Sequence, residues 1–284
     1  MKKRRVVLWI LGIAVVAVLA GLSWRLARHF VPTPQVAVVK VEGEIYESYT
    51  NLIGQALEDL GADPAVHAVV LEVSSPGGGV TASESLYFDI LALREKMPVF
   101  VSMGEVAASG GYYISAAADQ IYAKPTSIVG NIGVLSSMPD PDLVDEMLIT
   151  TGPFKLTGGT ATEWTRQMET LKNLFVAAVT AQRADRLTVP VETLTRGEIY
   201  LGLQAQEMGL IDALGSRADA IAAAAQMAGL RHYDVVDRTP ELPADDLSFL
   251  FGSTGAQPAE AGAAPPKGDR LAPGIYYLYL QPGQ

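Results

Sequence analysis

Short apolar runs alternate with helical segments early in the chain, and this alternation limits the folds open to it. Largely apolar runs suited to buried strands occupy Val36–Val41, Ala68–Val73 and Val99–Met103. Two segments with the apolar spacing of helices separate them, Leu52–Leu60 and Thr81–Lys96. Strands buried on both faces and joined by helices are typical of parallel sheets. The sequence therefore predicts an α/β fold with parallel strands.

The pattern continues until the composition changes after Pro240. It predicts a short helix at Ser109–Ala118, a strand at Gln120–Ala123, a long helix within Thr162–Arg186, and closing helices at Arg196–Asp212 and Arg217–Ala228. Gly, Ala and Pro are frequent in residues 252–273, which predicts a flexible tail. Four parts are expected: a membrane anchor with a basic flank at 1–30, a linker at 31–35, a folded domain at 36–238 and the tail at 239–284.

The first thirty residues form a separate unit. The basic Lys2–Arg5 precedes an uncharged run of 19 residues, Val6–Trp24. A helix needs about 20 apolar residues to cross the ~30 Å hydrocarbon core. A cleaved signal peptide is the alternative, but its apolar region is usually about 7–15 residues long. We expect a single-pass anchor with its N-terminus in the cytoplasm and the remaining chain outside the membrane.

Charge and rare residue types exclude several function classes. Six of the 21 Lys and Arg residues, and none of the 31 Asp and Glu residues, lie in the first thirty positions, so the remainder is strongly acidic. Such a domain repels nucleic acid. The chain has no cysteine and only three histidines, which excludes disulfides and disfavours a multi-histidine metal site. We expect no nucleic-acid partner, no metal and no cofactor.

Three glycines follow a proline between a predicted strand and a predicted helix, at Ser75–Gly79. Without side chains, the backbone can turn sharply and present N–H groups that stabilise an oxyanion. A phosphate-binding loop fits less well, because the chain has no Gly-Lys-Ser or Gly-Lys-Thr sequence. A tight turn with a purely structural role is the alternative, and the motif alone favours it.

Ser109 lies between alanines and glycines in Ala-Ala-Ser-Gly-Gly, directly after a predicted strand. These small neighbours leave room for a substrate backbone, and the N–H of Gly110 lies beside any oxyanion formed there. A serine that caps a helix is the commoner explanation of such a position. A nucleophilic serine also needs a base. The three histidines, His29, His67 and His232, are not in turn-rich or glycine-rich segments.

A lysine can act as the base when desolvation lowers the lysine pKa. Lys155 is the one lysine beyond the anchor that lies in an uncharged, turn-rich segment, Gly152–Gly159. An ordinary loop lysine is the alternative. A second apolar segment, Tyr276–Leu280, lies near the end of the tail. It is expected either to add a strand to a sheet edge, to form an oligomer contact, or to enter a peptide-binding cleft.

Together these segments resemble signal peptide peptidase A and its relatives, a family of membrane-anchored serine–lysine peptidases. The resemblance extends from about Val36 to Val236 and rests on the order and spacing of five motifs. These are Ser-Pro-Gly-Gly-Gly at 75–79, Ala-Ser-Gly-Gly-Tyr-Tyr at 108–113, Gly-Asn-Ile-Gly-Val at 130–134, Gly-Pro-Phe-Lys at 152–155, and Arg196-Gly197 with the closing segment Ala205–Asp212.

The resemblance implies that Ser109 is the nucleophile and Lys155 the general base, with the backbone N–H groups of Gly78 and Gly110 forming the oxyanion hole. It implies a Clp-protease/crotonase-like spiral of repeated strand–strand–helix units after one transmembrane helix at residues 6–24. It also implies a ring-like homo-oligomer whose active sites face an interior cavity. The expected substrates are cleaved signal peptides and other apolar peptides at the membrane.

Two departures from the family pattern concern the lysine. Asn131 stands where relatives often have a serine that hydrogen-bonds the catalytic amine, so the Asn131 carbonyl is expected to orient Lys155. Leu156 stands where an acidic or polar residue often follows the lysine. The chain is also the single-domain form, so several protomers must assemble. Whether two subunits share one Ser/Lys pair stays open.

Two rival functions remain. A crotonase-like enzyme acting on acyl-CoA uses a similar glycine-based oxyanion hole, but the anchor, the acidic domain and the Ser/Lys pair argue against it. A catalytically inactive membrane scaffold of the same fold is the second rival, and the presence of both Ser109 and Lys155 argues against that one.

Overall fold

The computed structural model describes residue 9 and residues 12–23, 33–137 and 151–241, together with the backbone of residues 274–278. Residues 12–23 are helical (α1). Among the described residues, no helix combines the length and the apolar character needed to cross a membrane. The predicted basic flank, part of the linker and the Gly/Ala/Pro-rich stretch 252–273 lie outside the described residues.

A mixed α/β architecture follows the predicted alternation. The strands are β1 Gln35–Ile45, β2 Val66–Gly79, β3 Val99–Ala108, β4 Gln120–Ala123, β5 Ile128–Gly130, β6 Leu135–Ser137, β7 Ile199–Leu201, β8 Ala213–Leu214, β9 Asp234–Asp237 and β10 Gly274–Leu278. The further helices are α2 Glu47–Ala62, α3 Val80–Arg94, α4 Gly110–Ser115, α5 Ala161–Arg183, α6 Val191–Leu194, α7 Gly202–Glu207 and α8 Arg217–Met227.

The body of the sheet is parallel, as predicted. Neighbouring strands in the order β9-β1-β2-β3-β4-β8 all pair in parallel. Smaller strands extend the sheet at the carboxyl ends of β2 and β3. There β5 pairs in parallel with β3 and antiparallel with β7, while β10 pairs antiparallel with β2 and β6. The small strands β5, β6, β7 and β10 therefore lie at the carboxyl ends of β2 and β3.

Both faces of the sheet are covered, which explains why the strand segments are largely apolar. On one face, Val36, Val38 and Val70 pack with Ala220 and Ala224 of α8. On the other face, the alternate residues of the same strands pack with α2, α3, α4 and α5. Because successive side chains of a strand point to opposite faces, a strand covered on both sides needs apolar residues throughout.

The structure departs from the sequence prediction in two segments. The predicted sharp turn at Ser75–Gly79 is instead the extended end of β2, which stays paired with β1 through Ile45 and Gly78. The predicted helix at Arg196–Asp212 is divided into β7, α7 and turns. Two glycines prevent a helix over the whole segment, because Gly197 before β7 and Gly209 after α7 have φ of 68° and 77°, values that a continuous helix does not allow.

A cluster of charged side chains holds the closing segment Ala205–Asp212 against α5. The buried Arg183 donates to both carboxylate oxygens of Asp212 at 3.1 Å and to the Gly209 carbonyl at 2.9 Å. Arg186 donates to the same carboxylate at 3.0 Å. Asp212 also accepts from the backbone N–H of Ile121 at 2.7 Å. These contacts join the end of α5 to β4 and to the closing segment Ala205–Asp212.

Candidate active site

Ser109 occupies a strained turn between β3 and α4. Its backbone has φ 52° and ψ −120°, a region that costs a non-glycine residue on the order of 1–3 kcal/mol. The Ser109 N–H donates to the Gly130 carbonyl, and its carbonyl accepts from the Tyr113 N–H, both at 2.8 Å. Only 1% of the residue is exposed. The surrounding backbone therefore fixes the position of this side chain.

A capping role does not explain Ser109. The residue stands at the N-cap position of α4, but its side chain makes no capping hydrogen bond. Strained serines at a strand-to-helix turn are the arrangement in which a nucleophile is held at the end of a sheet. The Ser109 hydroxyl is therefore placed as a nucleophile would be. The alternative role of Ser109 as a helix cap is not supported, because its side chain does not cap α4.

The glycines predicted to form the oxyanion hole lie against one another. A Cβ placed on Gly110 would lie 3.1 Å from the Cα of Gly77 and 3.2 Å from the backbone N of Gly78. A Cβ on Gly78 would lie 2.0 Å from the Ile45 carbonyl oxygen. A real Cβ does not approach a carbonyl oxygen as closely as 2.0 Å, so the Gly78 position requires glycine, whereas a Cβ on Gly110 would make tight contacts with Gly77 and Gly78. Gly78 and Gly110, which are 32 positions apart in the chain, therefore meet at one point.

Ser83 of α3 borders this glycine pair, and the sequence analysis did not single it out. A Cβ on Gly110 would lie 2.5 Å from the Ser83 hydroxyl oxygen. The side chain is fully buried, and its hydroxyl has no hydrogen-bond partner among the described residues. Its one sequence signal was its place among the small residues of the first turn of α3. A buried hydroxyl that lacks a hydrogen-bond partner lowers the stability of the fold, and this one lies beside Gly110.

A hydrogen bond and burial anchor the helix that follows Ser109. The Tyr112 hydroxyl donates to the Leu210 carbonyl at 2.9 Å. Burial raises the pKa of Tyr112 above its usual range, so the hydroxyl stays neutral and remains a donor. This bond ties α4 to the closing segment. The turn at Ser109 is therefore fixed at both ends, by Gly130 and by α4.

Asn131, like Ser109, has a positive φ. Within the described ranges, these two are the non-glycine residues with positive φ, and Asn131 has φ 54°. The Asn131 N–H donates to the Glu198 carbonyl at 2.7 Å, and its Nδ2 donates to the Gly197 carbonyl at 2.8 Å. Use of Nδ2 in that bond leaves Oδ1 as an acceptor. The expected contact from an ammonium group to the Asn131 carbonyl is thus chemically possible.

Lys155 is exposed to solvent, whereas Ser109 is buried. It lies in a turn at residues 151–158, where its N–H donates to the Gly152 carbonyl at 3.2 Å. Across the described residues, neither the Lys155 ammonium nor the Ser109 hydroxyl has a hydrogen-bond partner. The structure of one chain therefore brings Ser109, Gly78 and Gly110 together, with Asn131 next to Gly130, whose carbonyl accepts from the Ser109 N–H. Within the described part of the chain, no hydrogen bond joins Lys155 to them.

A cavity of about 450 Å³ opens at the end of β2. Its lining includes Glu44, Tyr46, Gly79, Ala82 and Leu171. Partial burial raises the pKa of the Glu44 carboxyl. In residues 33–137 and 151–241, no three His, Asp or Glu side chains are grouped closely enough to hold a metal ion. The cavity beside the Gly79 end of β2 has room for a ligand side chain.

Comparison with known proteins decides the family. The model of peptidase family S49 matches residues 92–231. Protease 4 of Salmonella typhi is 32% identical over 251 residues, which are 80% of this chain and 40% of that protein. A putative protease of Methanocaldococcus jannaschii is 34% identical over 220 residues, which are 72% of this chain and 68% of that protein. The chain belongs to peptidase family S49.

Membership in family S49 confirms the resemblance inferred from the motifs. A putative signal peptide peptidase SppA of Enterococcus faecium is 31% identical to the S49 chain over 189 residues, covering 61% of the chain and 54% of that protein. The S49 chain spans about two fifths of the length of Protease 4. The family match includes Ser109, Asn131 and Lys155, while Gly78 precedes it.

Proposed function

We propose that this S49 chain is a membrane-anchored serine endopeptidase in which Ser109 is the nucleophile and Lys155 the general base. The observation that carries the proposal is the strained, buried serine beside the paired glycines, in a chain of a peptidase family. A serine held against two backbone segments free of side chains is suited to attack a peptide carbonyl and to stabilise the resulting oxyanion.

The chemistry proceeds in two halves. The Lys155 amine takes the Ser109 hydroxyl proton as the serine oxygen attacks the scissile carbonyl carbon. The N–H groups of Gly78 and Gly110 stabilise the oxyanion of the tetrahedral intermediate. Lys155 then gives its proton to the leaving amine, and an acyl-enzyme remains on Ser109. Water, deprotonated by the same amine, hydrolyses that ester and restores the serine.

Assembly of several chains supplies the missing contact in this proposal. Lys155 is exposed and its ammonium is without a partner in the described part of one chain, whereas Ser109 is buried. A neighbouring subunit that covers the turn at 151–158 would desolvate the amine and orient it through the Asn131 carbonyl. We place the Ser/Lys pair across a subunit interface of a ring-like homo-oligomer.

The proposed substrates are cleaved signal peptides and other apolar peptides. One relative is named a putative signal peptide peptidase, and the apolar run at residues 6–24 would hold the enzyme where such peptides remain. We propose that the N-terminus lies in the cytoplasm. The peptidase domain, residues 36–238, then lies on the other side of the membrane. The acidic domain would not bind nucleic acid. The described α/β body is suited to the spiral of strand–strand–helix units implied by the resemblance.

We expect the full chain, purified in detergent, to hydrolyse apolar peptides and casein but not acyl-CoA thioesters. The glycine pair can stabilise either oxyanion, so substrate class separates the peptidase from its crotonase-like rival. Peptide products are measured by mass spectrometry and free thiol by absorbance. Release of CoA without peptide cleavage would favour the rival enzyme, and inactivity on both substrates would favour the inactive scaffold.

The peptidase rate is expected to rise with pH through the neutral and mildly alkaline range. Ser109 activation requires a neutral amine, and the fraction of neutral lysine grows as pH rises. The measurement is kcat/KM for one apolar peptide across that range, with unfolding followed in parallel to exclude loss of the folded enzyme. A flat profile in the folded enzyme contradicts the role of Lys155 as base.

A further inference from the structure

Ser83 lies where the glycine end of β2 meets the start of α4. Strand β2 ends at Gly79 and α3 begins at the next residue, so no loop separates the first turn of α3 from the glycines. A Cβ on Gly110 would lie 2.5 Å from the Ser83 hydroxyl oxygen and 3.2 Å from the backbone N of Gly78. The hydroxyl is therefore a neighbour of both glycines whose N–H groups are proposed to bind the oxyanion.

The Ser83 hydroxyl does not make the hydrogen bond that a serine within a helix commonly makes, to the carbonyl four residues earlier. In α4, the equally buried Ser115 donates to the Gly111 carbonyl at 2.7 Å. Ser83 is 0% exposed, and its hydroxyl has no hydrogen-bond partner in the part of the chain that the structure describes. Because such a group lowers stability, a partner gained in another state of the enzyme would account for its presence.

We propose that the Ser83 hydroxyl donates a third hydrogen bond to the oxyanion of the tetrahedral intermediate, beside the N–H groups of Gly78 and Gly110. The inference rests on the proposed function, which places the oxyanion at these two glycines. Serine hydroxyls can serve as oxyanion donors in the same way as backbone N–H groups. The hydroxyl only donates a hydrogen bond, so the proton stays on Ser83 and no covalent bond changes at this residue.

A hydrogen bond that forms only during the reaction accelerates the chemical step. Since the hydroxyl is unpaired before attack and paired afterwards, its hydrogen bond stabilises the transition state and leaves substrate binding unchanged. The hydroxyl is already buried beside Gly110, so little reorganisation is needed when the charge develops. A serine hydroxyl is a neutral donor throughout the neutral range. The expected signature is a lower kcat at unchanged KM, with the same pH profile.

Replacement of Ser83 by alanine tests the inference in the full chain, purified in detergent. We expect Ser83→Ala to lower kcat for an apolar peptide about 100-fold at unchanged KM. Its unfolding temperature should equal or exceed that of the wild type, because an unpaired buried hydroxyl is removed. The matched control, Ser115→Ala, removes a buried hydroxyl that already has a partner and should keep the wild-type kcat. A wild-type kcat or a lower unfolding temperature for Ser83→Ala would overturn the inference.

An apolar peptide boronic acid reports on the oxyanion position directly. The Ser109 oxygen gives an electron pair to boron, the serine proton passes to Lys155, and boron becomes a tetrahedral anion with one hydroxyl at the oxyanion position. We expect Ser83→Ala to raise the inhibition constant of the boronic acid about 100-fold. In the Ser109→Ala background, the same substitution should leave the Kd of the matching substrate peptide unchanged. Equal inhibition of both chains, or a parallel loss of substrate binding, would overturn the inference.

Substrate class separates this inference from the proposed function. Cleavage of acyl-CoA thioesters and of no peptide by the wild type would refute the peptidase proposal alone, provided that Ser83→Ala slows thioester cleavage about 100-fold. Peptide cleavage that is equally fast in the wild type and in Ser83→Ala would overturn the inference alone. A wild type that is inactive on both substrates and insensitive to the boronic acid would overturn both.

Discussion

Replacing Ser109 or Lys155 by alanine is expected to lower kcat/KM for an apolar peptide by on the order of 10³-fold or more. Without Ser109 no acyl-enzyme forms, and without Lys155 the serine keeps its proton and the leaving amine receives none. Because nucleophile and base act as one unit, the double substitution should cost little more than either single one. Single-turnover and steady-state peptide hydrolysis both report the loss.

Matched controls distinguish this loss from a general effect of removing side chains. Ser85 is an exposed serine of α3, and Lys124 is an exposed lysine near the end of β4. Ser85→Ala and Lys124→Ala should retain wild-type turnover and wild-type unfolding temperatures. Full turnover by Ser109→Ala or by Lys155→Ala would end the assignment of that residue.

The same two variants test where the Ser/Lys pair is assembled. If one subunit supplies Ser109 and its neighbour supplies Lys155, mixing the two inactive chains and reassembling them restores intact pairs in some sites. We expect measurable recovery of activity in the mixture, growing with the time allowed for subunit exchange. Absence of recovery, in oligomers shown by mass spectrometry to be mixed, would place the pair within one chain.

The second large effect concerns stability. Asp212→Ala is expected to lower the free energy of unfolding by about 3–5 kcal/mol. The side chain of Arg183 is 0% exposed and would remain as a buried charge that has lost its carboxylate. The Ile121 N–H would also lose its acceptor. Urea unfolding of the full chain, followed by fluorescence, measures the change.

Two further variants make this prediction specific. Asp185 is 81% exposed at its side chain and lies 4.0 Å from Arg186, so Asp185→Ala should change the free energy of unfolding by less than about 1 kcal/mol. Arg183→Met leaves Asp212 paired with Arg186 and should cost less than Asp212→Ala. A free energy of unfolding for Asp212→Ala within about 1 kcal/mol of the wild type would contradict the role assigned to the cluster.

The parallel body of the sheet could be predicted because burial on both faces leaves a direct mark on the sequence. Val36–Val41 and Ala68–Val73 are largely apolar runs, and both belong to central strands. The extension of β2 to Gly79 could not be predicted in this way. Glycines permit a turn and an extended strand alike, and the choice depends on pairing with Ile45, which lies far away in the chain.

The candidate site was predictable to a similar degree. Small residues around Ser109 indicated a crowded backbone, and the structure places Gly110 against Gly77 and Gly78. The positive φ of Ser109 could not be predicted from the sequence, because a serine at the start of a helix usually caps that helix. The buried hydroxyl of Ser83 depends on contacts between α3 and α4 that no local pattern records. No local pattern records what surrounds the Lys155 ammonium, because the residue lies in an exposed turn.

The glycine end of β2 has a consequence for which molecules this site can accept. Gly77, Gly78 and Gly79 offer no side chains, so what they recognise is the main chain of a partner strand. Such an edge selects conformation more than sequence, and it admits only a chain that is already extended. A peptide that leaves the lipid as a helix has all its main-chain groups paired internally. For the membrane peptides proposed as substrates, we therefore expect unwinding at the membrane surface to precede cleavage.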